Sequence, residues 1–211
     1  MSCPYQQNCG GCPYRSLGLE NYRKFKLEQF EKTVEALKQD GVCIGVPVFI
    51  ADGTRRRAEL AFKHQRGNLQ LGFNKSKSHE LTNIENCMLL TTKINNVLPH
   101  LRRFLTDFCA IKSTEKLKNK KFRTYNIGNG DIWLTEAVNG LDILFEIEEP
   151  LSLEHRMALC DFANSLEDIA RISVQIKSGK PETVVEKSRP YLNIGGDRVF
   201  IPAGTFLQAS D

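Results

Sequence analysis

Apolar residues at Leu19, Tyr22, Phe30, Val34 and Leu37 recur near helical spacing, with Lys, Glu and Gln between them. They predict an amphipathic helix over 17–38, stopped by Asp40-Gly41, whose stripe is expected to cover a core. The stretch 42–50 is apolar but broken by Gly45 and Pro47, which reads as an extended linker. Then the period drops to two. Ala58, Leu60 and Phe62 alternate with Arg57, Glu59, Ala61 and Lys63; a polar turn spans 64–68; Leu69, Leu71 and Phe73 resume the apolar face. This predicts a hairpin with one buried face and one face carrying the arginines and Lys63. A loop at 76–78 and a short strand at 80–84 follow. Helical spacing returns over 89–110 through Ile94, Val97, Leu98, Leu101, Leu105 and Phe108, with Pro99 expected to break it or to open a second helix. Strands at 122–127, 131–137 and 141–147, separated by Gly128-Asn129-Gly130 and Asn139-Gly140, predict a meander. Ser152 caps a helix to about Leu166. Ile172, Val174 and Ile176 alternate with Arg171, Ser173, Gln175 and Lys177, a half-exposed strand, and short strands follow near 184–185, 191–194 and 199–201. The order predicts an α+β fold, mainly antiparallel sheets with packed helices.

The chain has 211 residues, 41% hydrophobic and 26% charged, which is ordinary for a globular domain and leaves room for one good core or two small ones. No apolar run approaches membrane-spanning length. The net charge of +4 is mild, but it is concentrated in Arg55-Arg56-Arg57 and in a run over 112–123 that includes Lys116, Lys118, Lys120, Lys121 and Arg123. A single such run reads as a solvated face; two of them near predicted strands point toward a polyanion such as RNA.

Three of seven cysteines, Cys3, Cys9 and Cys12, fall within ten residues, spaced by Gly10, Gly11, Asn8 and Pro4. Small and rigid residues let so short a loop aim several sulfurs at one place. Four other cysteines are available as a further ligand: Cys43, Cys87, Cys109 and Cys160. Cys87 lies just past a polar stretch, whereas Cys109 and Cys160 sit in helical patterns and read as small buried hydrophobes. An odd cysteine count and the lack of a secretory signal argue against disulfides and for a reducing cytoplasm. An iron–sulfur cluster, a zinc ion and free thiols remain as occupants; zinc more often takes two close pairs than a triplet plus a remote single.

Four features occur in one order: the Cys loop, the arginine hairpin with Leu71-Gly72-Phe73 in its second strand, the lone Cys87, and the closing run from Phe200 through Phe206, Leu207 and Gln208 to Ala209. Together they resemble the bacterial RNA uracil-5 methyltransferases, S-adenosylmethionine-dependent enzymes that make 5-methyluridine in 23S ribosomal RNA. The resemblance implies a structural 4Fe–4S cluster on Cys3, Cys9, Cys12 and Cys87. It implies contact of Gln208 with the methyl donor and a place for Phe206 at the junction of the RNA-binding and catalytic parts, although by residue type Phe206 reads as a core aromatic. RNA would be gripped by Arg55, Arg56, Arg57, Lys120, Lys121 and Arg123. The implied chemistry is thiolate addition to carbon six of an unstacked uracil, methyl transfer to carbon five, and removal of the proton there.

Two departures from the family are visible. No β-barrel precedes the Cys loop, and the chain ends at Asp211, where the family's class I methyltransferase domain begins. No Gly-rich donor-binding turn and no cysteine in the family's Pro-rich nucleophile setting is found, and Cys109 and Cys160 are not assigned that role. The expected division is therefore 1–14 as the cluster loop, 15–47 as helix and linker, 48–203 as a central RNA-binding α+β domain, and 204–211 as the opening of the methyltransferase domain. A monomer, inactive by itself, is expected. The alternative is a stand-alone RNA-binding module stapled by iron–sulfur or zinc, with no catalysis.

Overall fold

The computed structural model describes residues 3–35, 37, 42–118 and 121–210. The predicted helix stop at Asp40-Gly41 and the site residue Lys120 lie outside them. A short 3-10 turn at Arg15–Leu17 leads into helix α1, Leu19–Glu35. Its stripe does not cover a core: no residue of α1 is buried among those described. The apolar positions are too sparse to make a continuous seam. Among the described residues α1 meets its own lead-in, with Tyr14 packed on Phe25 at 5.0 Å, and the 42–50 stretch, with Arg23 over the Phe49 ring at 5.5 Å. The 42–50 stretch is extended without pairing, and Val46 and Val48 are almost wholly exposed.

A seven-stranded sheet forms the body of the protein. Its strands are β1 (Arg57–Gln65), β2 (Asn68–Asn74), β3 (Leu81–Asn83), β6 (Asn129–Ala137), β7 (Gly140–Ile147), β8 (Ile169–Ile176) and β9 (Glu182–Glu186), in the order β3-β2-β1-β6-β7-β8-β9. The β1–β2 hairpin turns through Arg66 and Gly67, both at positive φ (52° and 79°), the geometry of a two-residue primed turn that suits the strand twist. All pairings in this sheet are antiparallel except β7–β8, which are parallel and joined through helix α3, Leu153–Ser165. The capping serine is where the pattern placed it: Ser152 Oγ accepts from the His155 N–H. Two small hairpins stand apart, β4 (Ser113–Lys116) with β5 (Phe122–Tyr125), and β10 (Tyr191–Ile194) with β11 (Asp197–Phe200).

Helix α2, Thr92–Ala110, packs across β2 and β6, and α3 across β8 and β9. The inward residues of one sheet face, Ala58, Leu60, Phe62, Leu71, Ile132, Leu134, Ile143, Phe145 and Ile172, meet them in a single core. Three expectations are corrected here. Pro99 neither ends nor restarts a helix; α2 runs through it. The lost hydrogen bond costs about 3 kcal/mol, whereas α2 buries Ile94, Val97, Leu98, Leu101, Leu105, Phe108 and Cys109, and each large aliphatic among them contributes about 1.5–3 kcal/mol. The meander is incomplete: β6 and β7 form its hairpin, but β5 pairs with β4, and β6 takes β1 as its other neighbour. Strand β8 is not half-exposed. It lies between β7 and β9, and Arg171 and Ser173 on its supposedly open side are buried as deeply as Ile172. No helix among the described residues is long and apolar enough to cross a membrane.

Candidate thiol centre and adjoining arginine–aromatic face

The Cys loop is folded by its own backbone. The N–H groups of Asn8 and Cys9 both donate to the Tyr5 carbonyl, at 3.0 and 2.8 Å, and Gln6 N–H donates to the Cys3 carbonyl at 3.2 Å. The loop then docks on the end of β2. Cys9 bridges to Lys75, and Gly10 N–H donates to the Asn74 carbonyl at 3.0 Å. A Cβ on Gly10 would stand 2.8 Å from that carbonyl oxygen, so only glycine permits the approach. Tyr5 anchors the other side: its hydroxyl accepts from Glu85 N–H at 3.0 Å, two residues before Cys87.

Cys87 is held by Asn95 in the first turn of α2. Asn95 Oδ1 accepts the Cys87 N–H at 2.9 Å, while Nδ2 donates to the carbonyls of Cys87 at 3.0 Å and Leu90 at 3.1 Å. Leu90 N–H donates to the Cys87 carbonyl at 3.1 Å. Gly11 N–H donates to Cys9 Sγ at 3.4 Å.

Burial raises the Cys12 thiol first; the charges of Cys87, Cys9 and Cys3 raise it further, opposed by Arg15. Burial likewise raises Cys87, the Leu89 and Leu90 amides oppose it, and Cys3 and Cys9 add to it. Arg15 is fixed by a bidentate pair with Asp52. Among the described residues, no group of three or more His, Cys, Asp or Glu side chains is drawn close enough to hold a single metal ion. The remaining cysteines play no part: burial pushes the Cys109 thiol up to about 12, Cys160 is half-buried in α3, and Cys43 is exposed.

The arginine tract is tied to the Cys87 segment. Arg55 N–H donates to the Leu89 carbonyl at 2.9 Å and the Arg55 carbonyl accepts from Thr91 N–H at 3.0 Å, leaving its side chain exposed. Arg56 N–H donates to the Ala209 carbonyl at 2.7 Å, and its Nε to the Gln208 carbonyl at 3.4 Å. Arg57 lies on the sheet face opposite the helices, its guanidinium 4.5 Å from the Trp133 ring and 4.6 Å from the Phe206 ring. Phe206 is not a core residue: it is 67% exposed. Gln208 is exposed beside it.

The second basic run is less basic in space than in sequence. It forms the β4–β5 hairpin, where Arg123 makes a bidentate pair with Glu149, a second bond to Glu115 at 3.1 Å, and stacks on Tyr125. These carboxylates hold the Arg123 guanidinium firmly charged and already engaged. Lys121 is exposed on the same hairpin. An open cleft of about 400 Å³ lies between the Cys loop and the sheet, lined by Gly10, Gly11, Glu59, Phe73, Lys77 and Asp131 among others. Burial, and after it their negative neighbours, raise the Glu59 and Asp131 carboxyls.

Sequence reasoning missed Asn95, Trp133 and the buried pair Arg171–Asp142. Trp133, the sole tryptophan, shares the period-two phase of Asp131 and Thr135 in β6, and that phase was its signal. Asn95 looks like any polar helix residue, and nothing in the sequence marks it.

No family model matches the chain. It is 29% identical over 210 residues to an uncharacterized RNA methyltransferase of Mesorhizobium japonicum, covering all of this chain and 45% of that protein. It is 31% identical over 204 residues to an uncharacterized RNA methyltransferase of Agrobacterium fabrum, covering 96% of this chain and 44% of that protein. A 23S rRNA (uracil(1939)-C(5))-methyltransferase of Histophilus somni is 27% identical over 165 residues, 76% of this chain and 34% of that protein. The crystal structure of Pyrococcus abyssi tRNA (uracil-54, C5)-methyltransferase in complex with S-adenosyl-L-homocysteine shares the fold, with a TM-score of 0.63 at 17% identity over 99% of this chain and 48% of that one. The chain thus spans a little under half the length of the relatives it matches first. Along essentially its whole length the chain is similar in sequence to RNA methyltransferases, 23S rRNA uracil-5 methyltransferases among them, and its chain path shows the fold of the tRNA enzyme.

Proposed function

We propose that this chain is the RNA-recognition and iron–sulfur part of an S-adenosylmethionine-dependent methyltransferase that makes 5-methyluridine in 23S ribosomal RNA. The observation that supports it is the docking of the Cys loop on the Cys87 segment, where the Tyr5 hydroxyl accepts from Glu85 N–H, next to the bond from Arg55 N–H to the Leu89 carbonyl. The donor set fits a 4Fe–4S cluster. All four donors are thiols, an amide N–H faces the sulfur of Cys9, and such hydrogen bonds accompany cluster thiolates. A zinc ion asks for sulfurs about 3.8 Å apart, from bonds of about 2.3 Å in a tetrahedron, and more often takes two close cysteine pairs than a triplet plus a remote single. When bound, a cluster supplies a rigid four-point tether between the Cys loop and the segment that carries Arg55.

The chain's own residues then bind and orient RNA. Arg55, Arg56 and Lys121 meet phosphates, while Arg57 and Phe206 offer a flat surface to an unstacked base. Arg123 contributes to the field rather than to a direct bond, because Glu149 and Glu115 occupy its donors. Gln208 presents its side chain toward the methyl donor. The bond-making steps are assigned to none of these residues, so binding without methyl transfer is the property expected of the chain alone. The segments 1–14, 15–47, 48–203 and 204–211 are proposed as its functional divisions.

The test is binding of a uridine-rich loop from 23S ribosomal RNA, measured across a salt series. Affinity should fall steeply with salt, and Arg55→Ala with Arg56→Ala should flatten the slope by about one unit per lost phosphate contact. Equal, salt-insensitive binding by both proteins would overturn the reading. Tritiated donor should leave no label in the RNA.

A further inference from the structure

The segment Ile201–Ala209 has no regular secondary structure, yet it crosses the sheet along a defined path. One end is held at Ile201. Its side chain is buried with Ala137 and Leu192, its N–H donates to the Pro190 carbonyl at 2.9 Å, and its carbonyl accepts from Arg171 Nη2 at 2.9 Å. The other end is held where Arg56 N–H meets the Ala209 carbonyl. Between them Leu207 packs on the Ile201 cluster and Phe206 lies against Arg57.

Arg171 is an unusual residue to find in that position. It is 4% exposed, and so is nearly inaccessible to water, as is its partner Asp142 at 7%. Nε and Nη2 make a bidentate pair with the Asp142 carboxylate at 2.9 and 2.7 Å, and Nη1 lies 3.5 Å from Glu186. A buried ion pair of this kind adds little net stability over an apolar pair of the same volume, since desolvation offsets attraction. What it adds is direction. The planar fork, fixed by Asp142 on β7, leaves one N–H aimed at a single carbonyl, that of Ile201.

We infer that Arg171 is a positioning residue: through the Ile201 carbonyl it seats the 201–209 strap, and the seated strap completes the Trp133–Arg57–Phe206 stack and presents Gln208. The inference rests on the proposed RNA reading for its purpose, but its geometry can be read separately. Trp133 is the only tryptophan in the chain, so its fluorescence reports on the stack directly.

Two variants that leave no lone buried charge test this: Arg171→Lys, which keeps the charge beside Asp142 but loses the fork, and Arg171→Met combined with Asp142→Leu. Each is made with and without Phe206→Leu. In both variants the melting profile should stay cooperative, while Trp133 emission shifts to the red and acrylamide quenching rises. Phe206→Leu should alter Trp133 emission in the wild-type chain and leave it unchanged in the variants, where the strap is already unseated. Affinity for the uridine-rich loop should fall about tenfold, on the scale of one lost base contact. Wild-type emission and quenching in the folded variants, or an equal effect of Phe206→Leu in both backgrounds, would show that Arg171 is only structural and overturn the proposal. If wild-type protein fails to bind RNA at all, the functional reading falls while the Trp133 result still decides the role of Arg171.

Discussion

Asn95 has two jobs at one residue: it satisfies the backbone of Cys87 on both sides and closes the first turn of α2. Removing it strands the Cys87 N–H and the Leu90 carbonyl, and each unsatisfied group costs about 1–3 kcal/mol. Asn95→Ala should therefore lower the urea midpoint by the equivalent of about 2–4 kcal/mol, whereas Asn96→Ala, on the exposed side of the same turn, should change it little. His155 offers a second residue-scale test. Its ring is wholly buried against Phe108, Nδ1 meets Ser152 and Ser113, and Nε2 has no partner among the described residues. Burial lowers its pKa below the ordinary histidine value, with Glu154 pulling weakly the other way. The unfolded chain therefore binds the proton first as pH falls. The stability this histidine contributes is complete above about pH 6.5 and is lost as pH drops from there toward the folded-state value. Melting temperature followed from pH 7.5 to 5 should fall more steeply for the wild type than for His155→Gln.

Helix α2 shows how packing overrides a local signal. Pro99 lacks the N–H that would bond the Asn95 carbonyl, and it sits on the exposed side of the helix. Pro99→Ala should stabilise the protein by about 1–3 kcal/mol, restoring that bond without touching the core. Leu101→Ala, in the buried seam, should destabilise it by about 2–5 kcal/mol. Chemical denaturation of both variants checks the two signs together. The same competition explains which elements the sequence made legible. The β1–β2 hairpin, the β6–β7 hairpin and the Ser152 cap were readable because turn chemistry and alternation agree there. Strand β8 misled because Arg171, Ser173 and Gln175 have the alternation of a wet face; only the tertiary covering by β9 and the 201–209 strap makes two of them interior. Helix α1 misled in the opposite sense, since its apolar spacing carries no information about whether anything packs on it.

At the scale of the molecule, the thiol centre was legible in part. The amino-terminal trio is local and needs no fold to be seen. Cys87 was selected because Cys109 and Cys160 fit helices; its segment meets the Cys loop through the Tyr5–Glu85 bond, and its place as a ligand is what the iron measurement below tests. Its backbone support by Asn95 was not readable, because the two residues meet through a loop whose shape no short-range pattern fixes. In space the two basic runs differ: Arg55 is bonded to the Cys87 segment through the Leu89 carbonyl, whereas Arg123 is paired with Glu115 and Glu149, and Glu149 comes from a distant stretch of chain. The architecture joins these pieces in one chain of contacts, from the Cys loop through Tyr5 and Glu85 to Cys87, then through Leu89 to Arg55 and along β1 to Arg57 and Phe206.

That continuity makes Cys87 the position on which the whole account turns. Iron, sulfide and zinc should be measured per chain in protein reconstituted without oxygen, for the wild type and for Cys87→Ser. The expected result is about four iron atoms in a brown wild-type protein, with most of that iron lost and the melting temperature lowered in Cys87→Ser. A colourless wild type carrying one zinc per chain, or an iron content that Cys87→Ser leaves unchanged, would contradict it.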